Sequence, residues 1–411
     1  MATSDLTGTR EEGIYDEDYK TEVEERLAVM RAVNTHQPEL DGAITSGEVW
    51  SAVRKLKMGK APGEDDILTD ILKSGADAVN NGKMRGNDGM IQALVMLFNY
   101  VFDHEVWPER WGSGVIFPIH KHDSRLDPSN YRPITLMSVV GKVFGVVVNT
   151  RLMQFSERMG TISDEQGGFR ARRGTPDQIF ILREILASRS ERGLPTYATY
   201  VDARKAYDTV WREYAYTKIH DSGIQGKLWR QLQAMHAGLN RKVRHPLGLT
   251  AEFPVERGVA QGAVESPWVY SNFIEGLSVQ FKAAGVGVTI AGRKVPLLMY
   301  ADDIVFLATT PAELIRMNAI ATEYARQHRF QFNGQKSGVM AYGVTRAERK
   351  RVTDMEWELF GEPVMVTDEY AYLGTATPSS AAQSSSSSRY RWFSSAECSG
   401  CTPTVVACLT P

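Results

Sequence analysis

Two adjacent aspartates interrupt an otherwise apolar run, PLLMYADDIVFLA at 296–308. Val295 to Met299 and Ile304 to Leu307 carry the branched and aromatic side chains of short buried strands. Tyr300 to Asp303 then form a tight hairpin turn, with Asp302 and Asp303 at its tip. Side-by-side carboxylates repel, and withdrawing them from water is costly unless a cation compensates. Aspartate is also a favoured turn residue, so this hairpin alone reads equally well as a polar turn. A third carboxylate shifts the balance. In TYATYVDARKAYD, Thr199, Val201 and their neighbours form a strand that delivers Asp202 where the apolar pattern ends. Three oxygen ligands at strand ends, without His or Cys nearby, suit Mg²⁺ or Mn²⁺ and make a poor zinc site. Such a site can hold two ions ~3.5–4 Å apart, one serving an attacking hydroxyl and one the leaving oxygen of a phosphoryl transfer.

These motifs occur in a recognisable order. KAPGEDDI, FPIHK followed by NYRPITL, EQGGFRARRGTPDQI, YVDARKAYDTV, RGVAQGAVESP and YADD together resemble the reverse transcriptase of non-LTR (LINE-type) retrotransposons, from about Thr45 to Thr375. The resemblance implies an α+β right-hand polymerase fold with fingers and palm, its thumb missing or truncated. It implies RNA-directed DNA polymerisation from an RNA template, a DNA primer and deoxynucleoside triphosphates, with two Mg²⁺ or Mn²⁺ ions on Asp202, Asp302 and Asp303. Lys336 is expected to protonate the leaving pyrophosphate. Lys121 and Arg132 would grip the incoming triphosphate, a role in which a guanidinium offers the paired bonds that an ammonium cannot. Tyr207 matches the steric gate against a 2′-hydroxyl, and Gln261 and Gly262 lie against the nucleotide. Arg170, Arg172 and Arg173 form a template-backbone clamp, while Tyr372, Leu373 and Gly374 resemble the primer grip. Glu265 stands where the family pattern has an apolar residue, and an acid beside a triphosphate pocket would be unfavourable. Two other functions fit part of this pattern: a catalytically impaired nucleic-acid-binding remnant, and an RNA-dependent RNA polymerase, from which Tyr207 discriminates.

The chain of 411 residues is long enough for two or three cores, and its 43% hydrophobic and 23% charged content is that of a globular protein. No apolar run reaches membrane-spanning length and the N-terminus lacks a signal-peptide core, so the expected location is intracellular, nucleus or cytoplasm. The net charge of −2 conceals a contrast. Met1 to Trp50 holds twelve acids against four bases, whereas Lys121 to Arg183 holds ten bases against six acids. A basic face on the latter could follow a phosphate backbone, although a solvated surface gives the same counts. The three cysteines, Cys398, Cys401 and Cys408, all lie near the C-terminus, where one CxxC without a nearby His is a weak zinc signal.

The expected organisation is an acidic, marginally ordered segment over 1–44, fingers over 45–195, a palm over 196–375 and a low-complexity, disordered tail over 376–411. Helices are expected from Ser46 as N-cap, over Ile91 to Phe102, over Val139 to Leu152, from a Thr175/Gln178 capping box through Leu186, over Trp211 to His220 and Leu228 to Leu239, and from Thr310 through His328. Strands are expected over Val115 to Ile119, Phe253 to Arg257 and Asn333 to Met340. Gly75 to Gly89 reads as a surface loop. With no endonuclease before the fingers and no recognisable thumb after the grip, a fragment of a larger element protein is expected.

Overall fold

The computed structural model describes residues 14–77, 89–121 and 124–379, which form two compact units. The first comprises residues 14–17, 162–206 and 274–379, and the second 18–161 and 207–273. These units cut across the consecutive division read from the sequence, because the strand that carries Asp202 pairs with strands a hundred residues later. The cysteines and residues 380–411 of the expected tail lie outside the described residues, as do residues 78–88 of the expected loop. The preceding helix, Thr69–Asp77, already occupies the first residues assigned to that loop.

The first unit is built on a five-stranded sheet in the order Met365–Val366, Gly338–Tyr342, Thr196–Val201, Asp303–Ala308, Leu297–Tyr300. The central strand, Thr196–Val201, is buried along its whole length and antiparallel to both neighbours. A strand buried on both faces needs cover on both, and helices provide it. Leu182 and Ile185, from the helix Thr175–Glu191, join Ala198, Tyr200, Leu307 and Met340 in one core cluster. On the other face the Thr199 hydroxyl donates to Asn318 of the helix Pro311–Gln327, and Phe281 meets Phe306 edge-on. Each fully buried Leu, Val or Phe here contributes about 1.5–3 kcal/mol. The inner strands are buried along almost their whole length, while the edge strand Met365–Val366 and the outer end at Asp303 are open to solvent.

The second unit combines a second five-stranded sheet with helices. Ser113–His120 pairs antiparallel with Tyr131–Met137 and parallel with Asn240–His245, to which Gly248–Leu249 and Phe253–Pro254 are added. Its helical core is aromatic: Trp111 and Phe144 each meet Phe98 and Trp107 or one another at ring-centroid distances of 5.2–6.0 Å. Residues 1–13 of the expected acidic segment lie outside the described residues, and residues 14–44 include packed helices. Glu17–Ala32 is helical with Val23 and Leu27 buried, and its neighbour Leu40 is buried too. Long-range partners fix the chain that follows. Arg151, from the helix Val139–Met159, forms a paired bridge to Glu48 at 2.6 and 3.0 Å and donates to the carbonyls of Leu40, Gly42 and Ala43. Arg230 clasps Glu105 with two bonds and reaches the Thr35 carbonyl.

Local chemistry corrects several boundaries. Thr45, rather than Ser46, caps the helix Ser46–Lys55, in a capping box with Glu48. Gly174 precedes the Thr175–Glu191 helix and its N–H donates to Asp177 at 2.7 Å, leaving Gln178 for another task. The 253–257 segment is a strand only over Phe253–Pro254, and residues 334–336 make a 3₁₀ turn before the strand Gly338–Tyr342. The final hairpin, Glu369–Tyr372 with Thr375–Pro378, runs three residues beyond the boundary set at Thr375.

Candidate active site

Strand register assembles the carboxylates. Ile304 pairs with Val201, so the next residues outward along the same antiparallel ladder are Asp303 and Asp202. Gly338 pairs with Tyr200 on the opposite side of the central strand, and Lys336 lies in the 3₁₀ turn that leads into the Gly338–Tyr342 strand, next to Ser337, whose hydroxyl accepts from the Asp202 N–H. Asp302 lies in the two-residue turn between Tyr300 and Asp303, which are themselves a pair. The three acids therefore gather at one end of one sheet, with Lys336 in the turn that precedes a neighbouring strand. Asp303 is exposed, yet burial of its carboxyl, then Asp302, then Asp202 push its pKa up to about 6. Among the described residues no three His, Cys, Asp or Glu side chains are grouped closely enough to hold a metal ion on their own.

The backbone of Asp202 is clamped by the turn that carries Lys336. The Asn333 N–H donates to the Asp202 carbonyl at 2.8 Å, and the Asp202 N–H donates to the Ser337 hydroxyl at 3.2 Å. Ser337 in turn donates to the Asn333 carbonyl at 2.7 Å. The Tyr370 hydroxyl donates to the Lys336 carbonyl at 2.8 Å, while its ring stacks on Tyr200 at 4.7 Å. Burial, Asp202 and Asp303 raise the Tyr370 pKa to about 12 and keep that hydroxyl protonated. Asn333, Ser337 and Tyr370 were not singled out from sequence. Their roles depend on contacts far along the chain; the only local trace is the i, i+2 pair of tyrosines in EYAYLG.

The candidate nucleic-acid residues divide. Arg170 donates to the carbonyls of Ser163 and Gln166, and Arg173 bridges Asp164 at 2.9 Å, so both brace their own loop. Arg172 is exposed, with a left-handed backbone at φ 61°. Tyr372 corrects the expectation directly: it is 1% exposed and packed edge-on to Tyr200, so its ring cannot touch a primer. Leu373 and Gly374 form the hairpin turn beyond it, at φ 50° and 74°.

The five residues assigned to the nucleotide belong to the second unit. Lys121 and Arg132 are both exposed near one end of the 113–120 and 131–137 hairpin, where Ile119 pairs with Arg132 and the Lys121 N–H donates to Asn130. Tyr207 stacks on Tyr270 at 5.5 Å with rings 11° apart. The Gln261 carbonyl accepts from the Thr135 N–H at 3.1 Å. Gly262, at φ 125°, lies so close to that strand that a Cβ would sit 2.8 Å from the Thr135 carbonyl, so glycine is required here by the chain's own packing.

Residues 119–377 match the family model described as reverse transcriptase (RNA-dependent DNA polymerase). The chain belongs to the reverse transcriptase family. Similar proteins include the probable RNA-directed DNA polymerase from transposon X-element of Drosophila melanogaster, 25% identical across 78% of this chain and 35% of that protein. The RNA-directed DNA polymerase from mobile element jockey of Drosophila funebris is 26% identical across 80% of this chain and 35% of its own length. The Pol polyprotein from the type-1 retrotransposable element R2 of Popillia japonica is 26% identical across 61% and 36%. This reverse transcriptase chain spans about a third of the length of these relatives.

Glu265 is the sharpest departure of this reverse transcriptase from the expected motifs, and the structure gives it a place. It is 4% exposed, its carboxylate lies 3.5 Å from Nε2 of buried His236, and the His236 Nδ1 meets the Tyr216 hydroxyl at 3.0 Å. Gly145 leaves the room it occupies, since a Cβ there would stand 3.2 Å from its carboxylate. The charge expected beside a triphosphate is directed into the core of its own unit.

Proposed function

We propose that this chain carries the nucleotidyl-transfer centre of an RNA-directed DNA polymerase of a non-LTR retroelement, extending a DNA primer on an RNA template from deoxynucleoside triphosphates. The observation that carries this reading is the register that brings Asp303 and Asp202 to one sheet end with Asp302 in the adjoining turn, beside the 3₁₀ turn that carries Lys336 and clamps the Asp202 backbone. The donor set fits two Mg²⁺ or Mn²⁺ ions. It consists of carboxylate oxygens alone, and the raised Asp303 carboxyl is the mark of acids held together without a compensating charge. Magnesium is commonly bound by one or two carboxylates with substrate phosphates and water completing its shell, so an incomplete protein cage is the appropriate starting point. Asp202, Asp302 and Asp303 would hold the ions, which when bound supply Lewis-acid activation of the primer hydroxyl and charge neutralisation at the leaving phosphate.

The chain's own groups do the rest. Lys336, anchored through its backbone by Asn333 and Tyr370, is the proton donor to the departing pyrophosphate oxygen. Lys121 and Arg132 present cations to a triphosphate. Tyr207, its ring held flat by Tyr270, excludes a 2′-hydroxyl and favours deoxynucleotides over ribonucleotides. Glu265, the departure from the family pattern, is buried against His236 in its own unit, which supports the polymerase reading over an impaired remnant. No helix among the described residues is long and apolar enough to cross a membrane, and a nucleoside-triphosphate substrate suits an intracellular site of action.

Primer extension on an RNA template, with purified protein, Mg²⁺ and each nucleotide type, tests the proposal. The parent is expected to add deoxynucleotides and to discriminate strongly against ribonucleotides, and Tyr207→Val to admit ribonucleotides. A parent that prefers ribonucleotides is an RNA polymerase, and one that binds template without extending any primer is a remnant.

A further inference from the structure

The turn that carries the paired acids is conformationally expensive. A two-residue hairpin with left-handed backbone at its first central position favours glycine there, but this chain has Ala301, at φ 58°. A strained turn persists when its surroundings over-determine it. Here they do. Residues 165–167 run beside the strand Leu297–Tyr300: the Met299 N–H donates to the Glu165 carbonyl and the Gly167 N–H to the Met299 carbonyl, both at 2.8 Å. Gln178 reinforces this pairing from the following helix, its side-chain amide donating to Glu165 and Met299.

Gln166 completes the brace. Its side chain is 0% exposed, and its Oε1 accepts from the Gly168 N–H at 2.8 Å and from the Ala301 N–H at 3.0 Å. Gly168 passes so close that a Cβ would stand 2.4 Å from the Ala301 nitrogen. The other end of the amide is costly: the buried Nε2 finds no hydrogen-bond partner among the described residues. An apolar side chain of similar size would avoid that penalty but would leave the Gly168 and Ala301 N–H groups without their acceptor, so the glutamine is tied to the turn rather than to packing.

We infer that Gln166 is a positioning residue for the acid pair. By holding the Ala301 N–H it fixes the turn in its left-handed form, and so fixes the directions in which Asp302 and Asp303 present their carboxylates to a divalent cation. The inference rests on the proposed cation-binding role of those two acids. Groups that orient metal-binding side chains change metal affinity by roughly 10–100-fold when removed.

The test uses the purified chain and Mn²⁺ alone, with bound ion measured by electron paramagnetic resonance, alongside melting temperature, RNA-template binding and amide exchange of the peptide containing Ala301. Gln166→Leu leaves the Gly168 and Ala301 N–H groups unpaired, so it should lower the melting temperature while keeping template affinity, speed exchange at Ala301, and weaken Mn²⁺ binding by about tenfold at a temperature where the variant remains folded. Ala301→Gly takes the same left-handed backbone without the Cβ penalty, so it should bind Mn²⁺ as the parent does and, combined with Gln166→Leu, restore part of the lost binding. Asp302→Asn is the reference. If Asp302→Asn loses Mn²⁺ while Gln166→Leu binds it as tightly as the parent, the positioning role is wrong and the acid assignment stands. Should Gln166→Leu fail to fold, Gln166→Asn, whose shorter amide cannot reach the Ala301 N–H, takes its place, and parent-like Mn²⁺ binding by that variant overturns the role. If the parent and Asp302→Asn bind Mn²⁺ equally, or neither binds it, the acid assignment itself fails.

Discussion

Glu48 and Asp303 are acids in two regions that treat them in opposite ways. Burial pushes Glu48 upward, but the Arg151 bridge and the Thr45 backbone and hydroxyl outweigh it and hold the carboxyl below its ordinary value. Asp303 is pushed up by burial and then by two more acids, with no cation among the causes. A carboxylate supplied with its own counter-charge joins pieces of the fold, whereas one placed among like charges destabilises the fold unless something outside the chain compensates. The contrast separates structural acids from functional ones better than composition does.

The largest change in stability is expected from breaking the structural pair. Arg151→Ala removes a bidentate bridge and three carbonyl contacts at once, and should cost about 3 kcal/mol in thermal unfolding. The loss should be clearest at neutral pH. Glu48 has a lowered pKa in the folded protein, so the bridge contributes above the ordinary carboxylate range and fades as pH falls through it. A melting temperature unchanged by Arg151→Ala would mean that these contacts do not fix the N-terminal segment.

Glu275 sharpens the comparison, being a buried acid outside the proposed centre. Burial raises its pKa to about 7, against the lowering effects of Ser163 and Lys282. Because the folded value lies above the unfolded one, its favourable contribution is full below the ordinary value of 4.5, declines as pH rises, and is gone above about 7. Glu275→Gln should therefore match the parent near pH 4 and exceed it at pH 8 by up to about 3 kcal/mol. Equal stabilities across that range would show that the carboxyl is not strained.

A smaller effect belongs to the functional acid. Asp303→Asn, melted in chelator at pH 8, should stabilise the protein slightly, by less than about 1 kcal/mol, because the group is exposed and solvent screens its repulsion. Destabilisation would mean that Asp303 has a structural partner after all.

Much of the first unit's chemistry was legible because it is local. Apolar residues on either side of Ala301-Asp302-Asp303 specify a hairpin, and the branched run before Asp202 specifies a strand end. What escaped depends on distant partners. Nothing near Tyr372 says that it is buried while Tyr370 approaches the acids; that follows from which face packs on Tyr200. Gln178 fits a capping pattern, but its amide spans to Met299, across more than a hundred residues. The acidic residues before Trp50 suggest weak order until Arg151 and Arg230 are in place around them. Glu265 reads as a charge near substrate because its partner, His236, comes from another helix.

The central claim is that Asp202, Asp302 and Asp303 serve chemistry and not substrate attachment. Its most direct test is single-turnover primer extension by Asp302→Asn on an RNA template in Mg²⁺, with template affinity measured on the same preparation. Nucleotide addition should fall by about 10³-fold or more, a loss of roughly 4 kcal/mol in transition-state stabilisation, while template affinity stays within about twofold, since phosphate contacts dominate it. Extension at the parent's rate, or loss of extension only in proportion to loss of template binding, would contradict the account.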